Sequence, residues 1–171
     1  LYAENLEVLK KYSDTINNNK KIKKIGSSYN WHASKKIATI LKKQEKKIEA
    51  ISYLKDSFAK IKNPKVYEVF DYAEFLKNNE NFQDSIKYYS KLILLIDNKH
   101  NLYGQVLDGR GVAYERTDQW DKAEKDLLNS LRIFPDNAYV INYLAYSWIE
   151  KGINVEKSLV MLKKANDLRP D

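Results

Sequence analysis

The stretch DQWDKAEKDLLNSLRIFPDN, residues 118–137, is an amphipathic run that ends close to a proline. Its apolar residues recur every three or four positions, which predicts a helix with one buried stripe. Two inward positions in that stripe, Ala123 and Ser130, carry side chains too small to bury much apolar surface. Such residues indicate that a second helix axis approaches to about 8–10 Å at those points. The stretch therefore predicts one helix of a closely packed pair.

The same pattern recurs along the chain. Residues 71–97, 109–135 and 143–170 superpose with one extra residue in the turn of the last segment, and a weaker copy spans 34–62. Each segment is an apolar-periodic run, a polar turn and a second such run, which predicts a helical hairpin. The sequence thus predicts hairpins in tandem.

Three inward positions per hairpin align, and eleven of the twelve are Ala, Gly or Ser. Such residues are 27 of 171, so chance would place about two there. The twelve positions are Ala38, Ala50, Ser57, Ala73, Ser85, Leu92, Gly111, Ala123, Ser130, Ala145, Ser158 and Ala165. Bulk around them is supplied by Leu76, Tyr114, Trp148, Tyr89, Leu127 and Leu162. This alternation predicts interlocking helices.

Composition favours a helical protein. The chain is 43% hydrophobic and 31% charged, with five Gly and three Pro, which leaves little material for the turns of an all-β fold. The longest apolar run, Leu92–Ile96, is far shorter than the roughly 20 residues of a membrane span. With no Cys, disulfides and thiol catalysis are excluded, and either a reducing or an oxidising compartment is compatible.

The spacing of Gly111, Tyr114 and Ala123, a period of about 34 residues, and the near-terminal Pro135 and Pro170 resemble the tetratricopeptide repeat. The resemblance covers residues from about 30 to 171 and extends to long multi-repeat bacterial proteins, common in proteobacteria. It implies an all-α fold, an α-solenoid of stacked antiparallel helix hairpins coiled into a superhelix. It also implies a bacterial protein of the cytoplasm or periplasm. Departures from the pattern are Lys47, Leu92, Asp97 and the extra residues NKHN at 98–101.

We expect a single solenoid over residues 1–171. Residues 1–25, with Leu6, Leu9, Tyr12 and Ile16 on one side, read as an N-terminal helix or partial repeat followed by a loop. The predicted repeats are 30–65, 66–99, 104–137 and 138–171. The last repeat has no polar closing helix, so we expect a longer repeat protein or a partner that covers this face. Self-association through the C-terminal face is one such arrangement.

Catalysis has little support in the sequence. His32 and His100 are far apart, and neither accompanies an evident nucleophile and orienting acid. The sequence has no Gly-rich phosphate loop and no His, Asp and Glu cluster with metal-ligand spacing. We therefore predict a non-enzymatic protein with no cofactor or metal.

The resemblance implies that the first helix of each repeat lines a groove that binds a peptide or helix of a partner protein. Carried over by alignment, the candidate groove residues are Lys35, Thr39, Lys42, Tyr67, Phe70, Glu74, Lys77, Asp108, Val112, Glu115, Tyr139, Asn142, Tyr143 and Tyr146. The resulting groove would run from basic through aromatic to polar. The last four residues form a stripe at helical spacing, suited either to peptide capture or to packing against an adjacent helix. The Lys and Asn clamp that some such repeats use for a terminal carboxylate is not assembled.

Charge supports an alternative function. Residues 1–65 contain 16 Lys and 6 acidic residues, a formal charge of +10, whereas residues 66–171 carry −3. This distribution suits nucleic acid or another anionic surface. It also suits a protein from an AT-rich genome, which we favour because Lys outnumbers Arg 26 to 4 and phosphate-binding surfaces usually use Arg as well. A third interpretation is that the repeats only space other domains.

Overall fold

The structure, a computed structural model, describes residues 14–18 and 27–169. Residues 14–18 are helical. Eight further helices follow: α1 (Ser27–Lys43), α2 (Lys47–Ala59), α3 (Val66–Lys77), α4 (Phe82–Leu95), α5 (Tyr103–Glu115), α6 (Trp120–Ile133), α7 (Ala138–Glu150) and α8 (Val155–Leu168). No strand occurs in the described ranges, and the all-α prediction is confirmed. Most of the predicted 1–25 segment lies outside the described residues.

The chain forms two compact units, residues 1–68 and residues 69–171. In the first unit, α1 and α2 pack as an antiparallel pair. The Trp31 ring meets the edge of Phe58 with centroids 5.5 Å apart, and Leu54 is completely buried beside them. Ala38 and Ala50, which have no exposed surface, allow the two helix axes to approach.

In the second unit, α4 packs on α5 and α6 packs on α7, so that successive hairpins stack. The contact between α6 and α7 has a core of Leu127, Val140, Leu144 and Trp148. Trp148 also donates its indole N–H to Glu124, which satisfies the one polar atom of a buried ring. Stacking in this way buries a continuous apolar core although each hairpin alone could not.

All twelve inward positions of the repeat pattern are buried. Gly111 shows the reason most directly. A Cβ added there would lie 2.9 Å from Leu127 Cγ and 3.3 Å from the Ala123 carbonyl oxygen, both too close for comfortable packing. The prediction that neighbouring helices approach at the small residues is confirmed.

The hairpin turns share one backbone conformation. Each contains a residue with positive φ: Glu45 (63°), Glu80 (64°), Asp118 (57°) and Gly152 (66°). The next amide donates to a carbonyl five residues back: Lys46 to Leu41, Asn81 to Leu76, Gln119 to Tyr114 and Ile153 to Trp148. This is the Schellman arrangement, which satisfies the last carbonyls of the first helix. It fixes the direction in which the second helix leaves.

Candidate functional site

The first helices of the second unit, α3, α5 and α7, carry the candidate site. We call their shared surface the first-helix face. Its members are Phe70, Glu74, Lys77, Asp108, Val112, Glu115, Tyr139, Asn142, Tyr143 and Tyr146.

Glu74 is the polar centre of the α3 part of this face. Lys77 Nζ donates to both carboxylate oxygens, at 2.9 and 3.1 Å, and the hydroxyl of Tyr89 on α4 donates to Oε1. The edge of Phe70 lies against the Tyr89 ring, with centroids 6.4 Å apart. Burial first and the negative charge of Glu74 second raise the pKa of Tyr89, so Tyr89 remains a hydrogen-bond donor at every physiological pH.

Asp108 links α5 to the start of α7. Asn137 Nδ2 donates to Asp108 Oδ2 at 3.2 Å, and Asn137 Oδ1 caps α7 by accepting from the Val140 amide at 3.3 Å. Burial raises the pKa of Asp108 to about 6, against the lowering effects of the Ser130 hydroxyl, Lys77 and Asn137. Its buried Oδ1 makes no hydrogen bond of good geometry in the described part of the chain. Asp108 is thus a carboxylate whose charge is poorly solvated.

Glu115 on α5 holds Tyr143 on α7. The Tyr143 hydroxyl donates to Glu115 Oε2 at 2.6 Å. Burial first and this hydrogen bond second raise the pKa of Tyr143. The ring of Tyr139 lies beside that of Tyr143, with centroids 6.1 Å apart. One tyrosine is therefore fixed by a hydrogen bond, and its neighbour packs on it.

Tyr139 and Tyr146 are the exposed aromatic residues of the face, at 54% and 55% of their surface. With Asn142 they line a cavity of about 340 Å³ whose other wall is formed by α8 residues, including Leu162 and Ala165. The cavity runs along the last hairpin. It offers aromatic surface next to Leu162, Ala165 and the exposed side chain of Arg169.

Chains of known structure share this fold. YrrB, described as a TPR protein with an unusual peptide-binding site, superposes with a TM-score of 0.67 over 99% of this chain and 84% of its own, at 18% identity. A Podosopora anserina putative kinesin light chain with nearly identical TPR-like repeats gives 0.70 over 98% and 89%, at 13% identity. MamA from Desulfovibrio magneticus RS-1 gives 0.66 over 92% and 94%, at 11% identity. The chain has the tetratricopeptide-repeat fold.

No protein-family profile and no curated relative match the sequence. At these identities the tetratricopeptide-repeat structures establish the fold alone. They confirm the solenoid that the spacing of small and large residues predicted.

In the second unit, the structure brings most of the predicted residues together on the first-helix face. Val112 is the exception, because it is only 8% exposed. It belongs to the buried core and not to the open surface. In the first unit, Lys42, Thr39 and Tyr67 are exposed and Lys35 is half-buried. Within residues 69–171 the predicted residues are mainly carboxylates and tyrosines, whereas the basic end of the predicted gradient, Lys35 and Lys42, belongs to the first unit. The gradient along the groove stays a prediction.

The polar contacts that hold the face are not visible in the sequence. Nothing in the sequence shows that Asn137 bonds to Asp108, and Tyr89 is predicted only to fill space between helices. The largest omission is Arg110, which donates to Asp126 Oδ2 at 2.7 Å and Oδ1 at 3.0 Å and to Ser90 Oγ at 3.2 Å. Burial alone would lower the pKa of Arg110, but the Asp126 carboxylate raises it. The sequence feature that could have indicated this ion pair is Asp126, an acidic residue on the inward side of α6.

The two histidines differ in exposure. His32 is exposed. His100 is half-buried, and its Nδ1 accepts from the Leu102 amide at 3.1 Å. Among residues 14–18 and 27–169, no three His, Asp or Glu side chains are grouped to hold a metal ion. No helix in the described ranges is long and apolar enough to cross a membrane.

Proposed function

We propose that the protein is a non-enzymatic interaction scaffold, and that its first-helix face binds an extended or helical segment of a partner protein. The observation that carries this proposal is the pair of exposed tyrosines, Tyr139 and Tyr146, on a helix whose neighbouring side chains are already fixed. YrrB, which shares the fold, is described as having a peptide-binding site. That description supports a binding role for the same fold here.

Preorganisation explains how such a face binds. Tyr143 is held by Glu115, Asn137 caps α7, and Tyr89 is held by Glu74. A partner therefore does not have to order these side chains, whose immobilisation otherwise costs roughly 0.5–1.5 kcal/mol each. Tyrosine adds rigid apolar area with a hydroxyl at its end, which is why it is enriched at binding hot spots.

The test begins with a partner recovered from native cells by crosslinking and affinity purification. Its affinity is then measured by titration calorimetry against Tyr139→Ala and Tyr146→Ala. Each substitution is expected to cost about 2 kcal/mol, roughly thirtyfold in affinity. The matched control is Leu94→Ala on α4, because Leu94 is 87% exposed and lies outside the first-helix face. Unchanged affinity for both tyrosine variants would remove them from the site.

A second candidate function is binding of nucleic acid or another anionic surface through the Lys-rich first third. The lysines that favour it among the described residues are the half-buried Lys35 and the exposed Lys36, Lys42, Lys43, Lys46 and Lys47. Lys20, Lys21, Lys23 and Lys24, which belong to the same predicted surface, lie outside the described residues. On duplex DNA the logarithm of the binding constant should fall with log salt by about 0.9 per phosphate neutralised. Absence of binding at about 50 mM salt would eliminate this function.

A further inference from the structure

The first-helix face carries negative charge that its own contacts do not compensate. It holds three carboxylates, Glu74, Asp108 and Glu115, against one ammonium, Lys77. The remaining hydrogen-bond donors to these carboxylates on the face are tyrosine hydroxyls and the Asn137 amide. A neutral donor satisfies an oxygen lone pair but leaves the charge in place.

Arg116 does little to change this balance. Its Nε lies 3.5 Å from Glu115 Oε2, and its side chain is 57% exposed, so water screens the pair. Glu115 itself is only 19% exposed and Glu74 only 30% exposed. Charges in such partly dry positions interact more strongly with a ligand than fully hydrated charges do.

Glu74 and Asp108 lie close to each other on this face, because the Tyr89 hydroxyl donates to Glu74 and a Cβ at Gly109, the neighbour of Asp108, would clash with that same hydroxyl. They lie on adjacent first helices, and the charge of Glu74 opposes ionisation of Asp108, while Lys77 favours it. A second cation placed between them would relieve both the repulsion and the poor solvation of Asp108. Arginine suits this role because its planar guanidinium binds carboxylates in pairs and also stacks on aromatic rings.

Aromatic surface lies beside the carboxylates. Tyr139 lies two residues after Asn137, whose side-chain amide donates to Asp108 Oδ2 at 3.2 Å, so the start of α7 lies beside that carboxylate. The rings of Tyr139 and Tyr146 are half-exposed. A cation over the face of such a ring is attracted by the negative face of its π-system. Carboxylates next to open tyrosine rings therefore favour a positively charged side chain over a neutral or acidic one.

We propose that the segment bound by the first-helix face is cationic, with an arginine or lysine placed between Glu74 and Asp108 and flanked by Tyr139. This inference rests on the proposed function and specifies its ligand. It assigns discrimination between partners to charge, because an acidic segment would meet a face on which three carboxylates stand against one ammonium.

The probe is a phage-displayed library of random dodecapeptides, selected on the immobilised chain at low salt. Selections run in parallel on the unchanged protein, on Glu74→Gln with Asp108→Asn, and on a control pair, Asp121→Asn with Glu156→Gln. Both pairs remove two negative charges from residues 69–171, but Asp121 and Glu156 are exposed and lie in the first turns of α6 and α8. A fourth selection uses Tyr139→Ala with Tyr146→Ala. Circular dichroism confirms that each variant is folded.

The expected result is enrichment of arginine and lysine on the unchanged protein and on the control pair, and loss of that enrichment on the Glu74 and Asp108 pair. A synthetic peptide from the selection should bind that pair roughly tenfold more weakly. Equal binding to both pairs would overturn the inference. Peptides that depend on the tyrosines but carry no cationic excess would overturn it and leave the proposed function standing. If no peptide depended on either set, both would fail.

A pH series provides a second readout. With a histidine-free cationic peptide, affinity should fall severalfold between pH 7 and pH 5, because protonation of Asp108 removes one of the two charges that hold the ligand. The groups that face Asp108 are Glu74, Lys77, Asn137 and Ser130. Asp108→Asn should remove most of this pH dependence. A profile unchanged by that substitution would contradict the placement of the cation.

Discussion

Gly111 lies where α5 passes directly against α6, and the pair Gly111 and Leu127 allows a quantitative test of this contact. A Cβ at position 111 would lie 2.9 Å from Leu127 Cγ and 3.1 Å from Cδ2. Carbon atoms at optimal separation are about 3.5–4.0 Å apart. Gly111→Ala therefore forces α5 and α6 to move or Leu127 to change its rotamer.

Gly111→Ala has two opposing effects on the free energy of unfolding, overpacking and improved helix propensity, and the Leu127→Ala background separates them. Overpacking costs about 1–3 kcal/mol, whereas replacing Gly by Ala in a helix interior gains about 1 kcal/mol. Gly111→Ala should thus destabilise the protein by about 1 kcal/mol. Leu127→Ala, at a fully buried site, should cost about 3 kcal/mol. In that background the clashing carbons are gone, so Gly111→Ala should stabilise by up to about 1 kcal/mol. The coupling energy is then about 2 kcal/mol.

Urea unfolding followed by circular dichroism at 222 nm measures this cycle, with equal m-values required across the four proteins. The control is Gly152→Ala, since a Cβ there meets no atom within 4 Å, and its effect should be the same in the presence and absence of Leu127. If Gly111→Ala changed the free energy of unfolding equally in both Leu127 backgrounds, the close approach would not explain this glycine.

Three further predictions concern the turns, the buried ion pair and Asp108. Glu45→Gly should stabilise by about 1 kcal/mol and Gly152→Ala should destabilise by a similar amount, because both positions have positive φ; thermal melts that moved the other way would contradict this. Asp126→Asn should cost about 3 kcal/mol in urea unfolding by leaving Arg110 buried without its charge partner, and a loss well below 1 kcal/mol would show that water compensates. The raised pKa of Asp108, about 6, means that the folded state binds this proton more tightly than the unfolded state, so its contribution to stability falls as pH rises from about 4 to about 6. Asp108→Asn should consequently be more stable than the unchanged protein at pH 7.5, by up to about 2 kcal/mol after allowance for solvent screening, and equally stable near pH 4; the reverse order would exclude a poorly solvated carboxylate.

The fold was predictable because it depends on periodicity. Small residues such as Ala123 and Ser130 mark where helices meet, and every aligned inward position proved buried. The turns were less readable. Gly152 indicates a residue with positive φ. Glu45 and Asp118 also have positive φ, although the left-handed conformation is most typical of glycine. Their conformation follows from the Schellman hydrogen bonds of the preceding helix, which the local sequence does not display.

The candidate site was predictable as a set of helix positions and not as a set of contacts. Alignment placed Glu74, Asp108 and Tyr143 on first helices, but not their partners, which are 15 to 29 residues away in the chain. Whether a hydroxyl on one helix reaches a carboxylate on another depends on helix register and rotamers. The periodicity of the sequence determines neither the helix register nor the rotamers.

The contacts that hold the face also limit how a partner can use it. Tyr143 donates its hydroxyl proton to Glu115, so the proposed ligand would meet its ring and not a free O–H donor. Tyr139 and Tyr146 retain exposed ring surface, and any ligand that uses it also meets the net negative charge of the carboxylates. Apolar contact with tyrosine is tolerant of sequence, whereas partly buried charge rejects ligands of like sign. Affinity would then come mainly from the rings and selectivity from the carboxylates, so the two properties can be altered by different substitutions on one face.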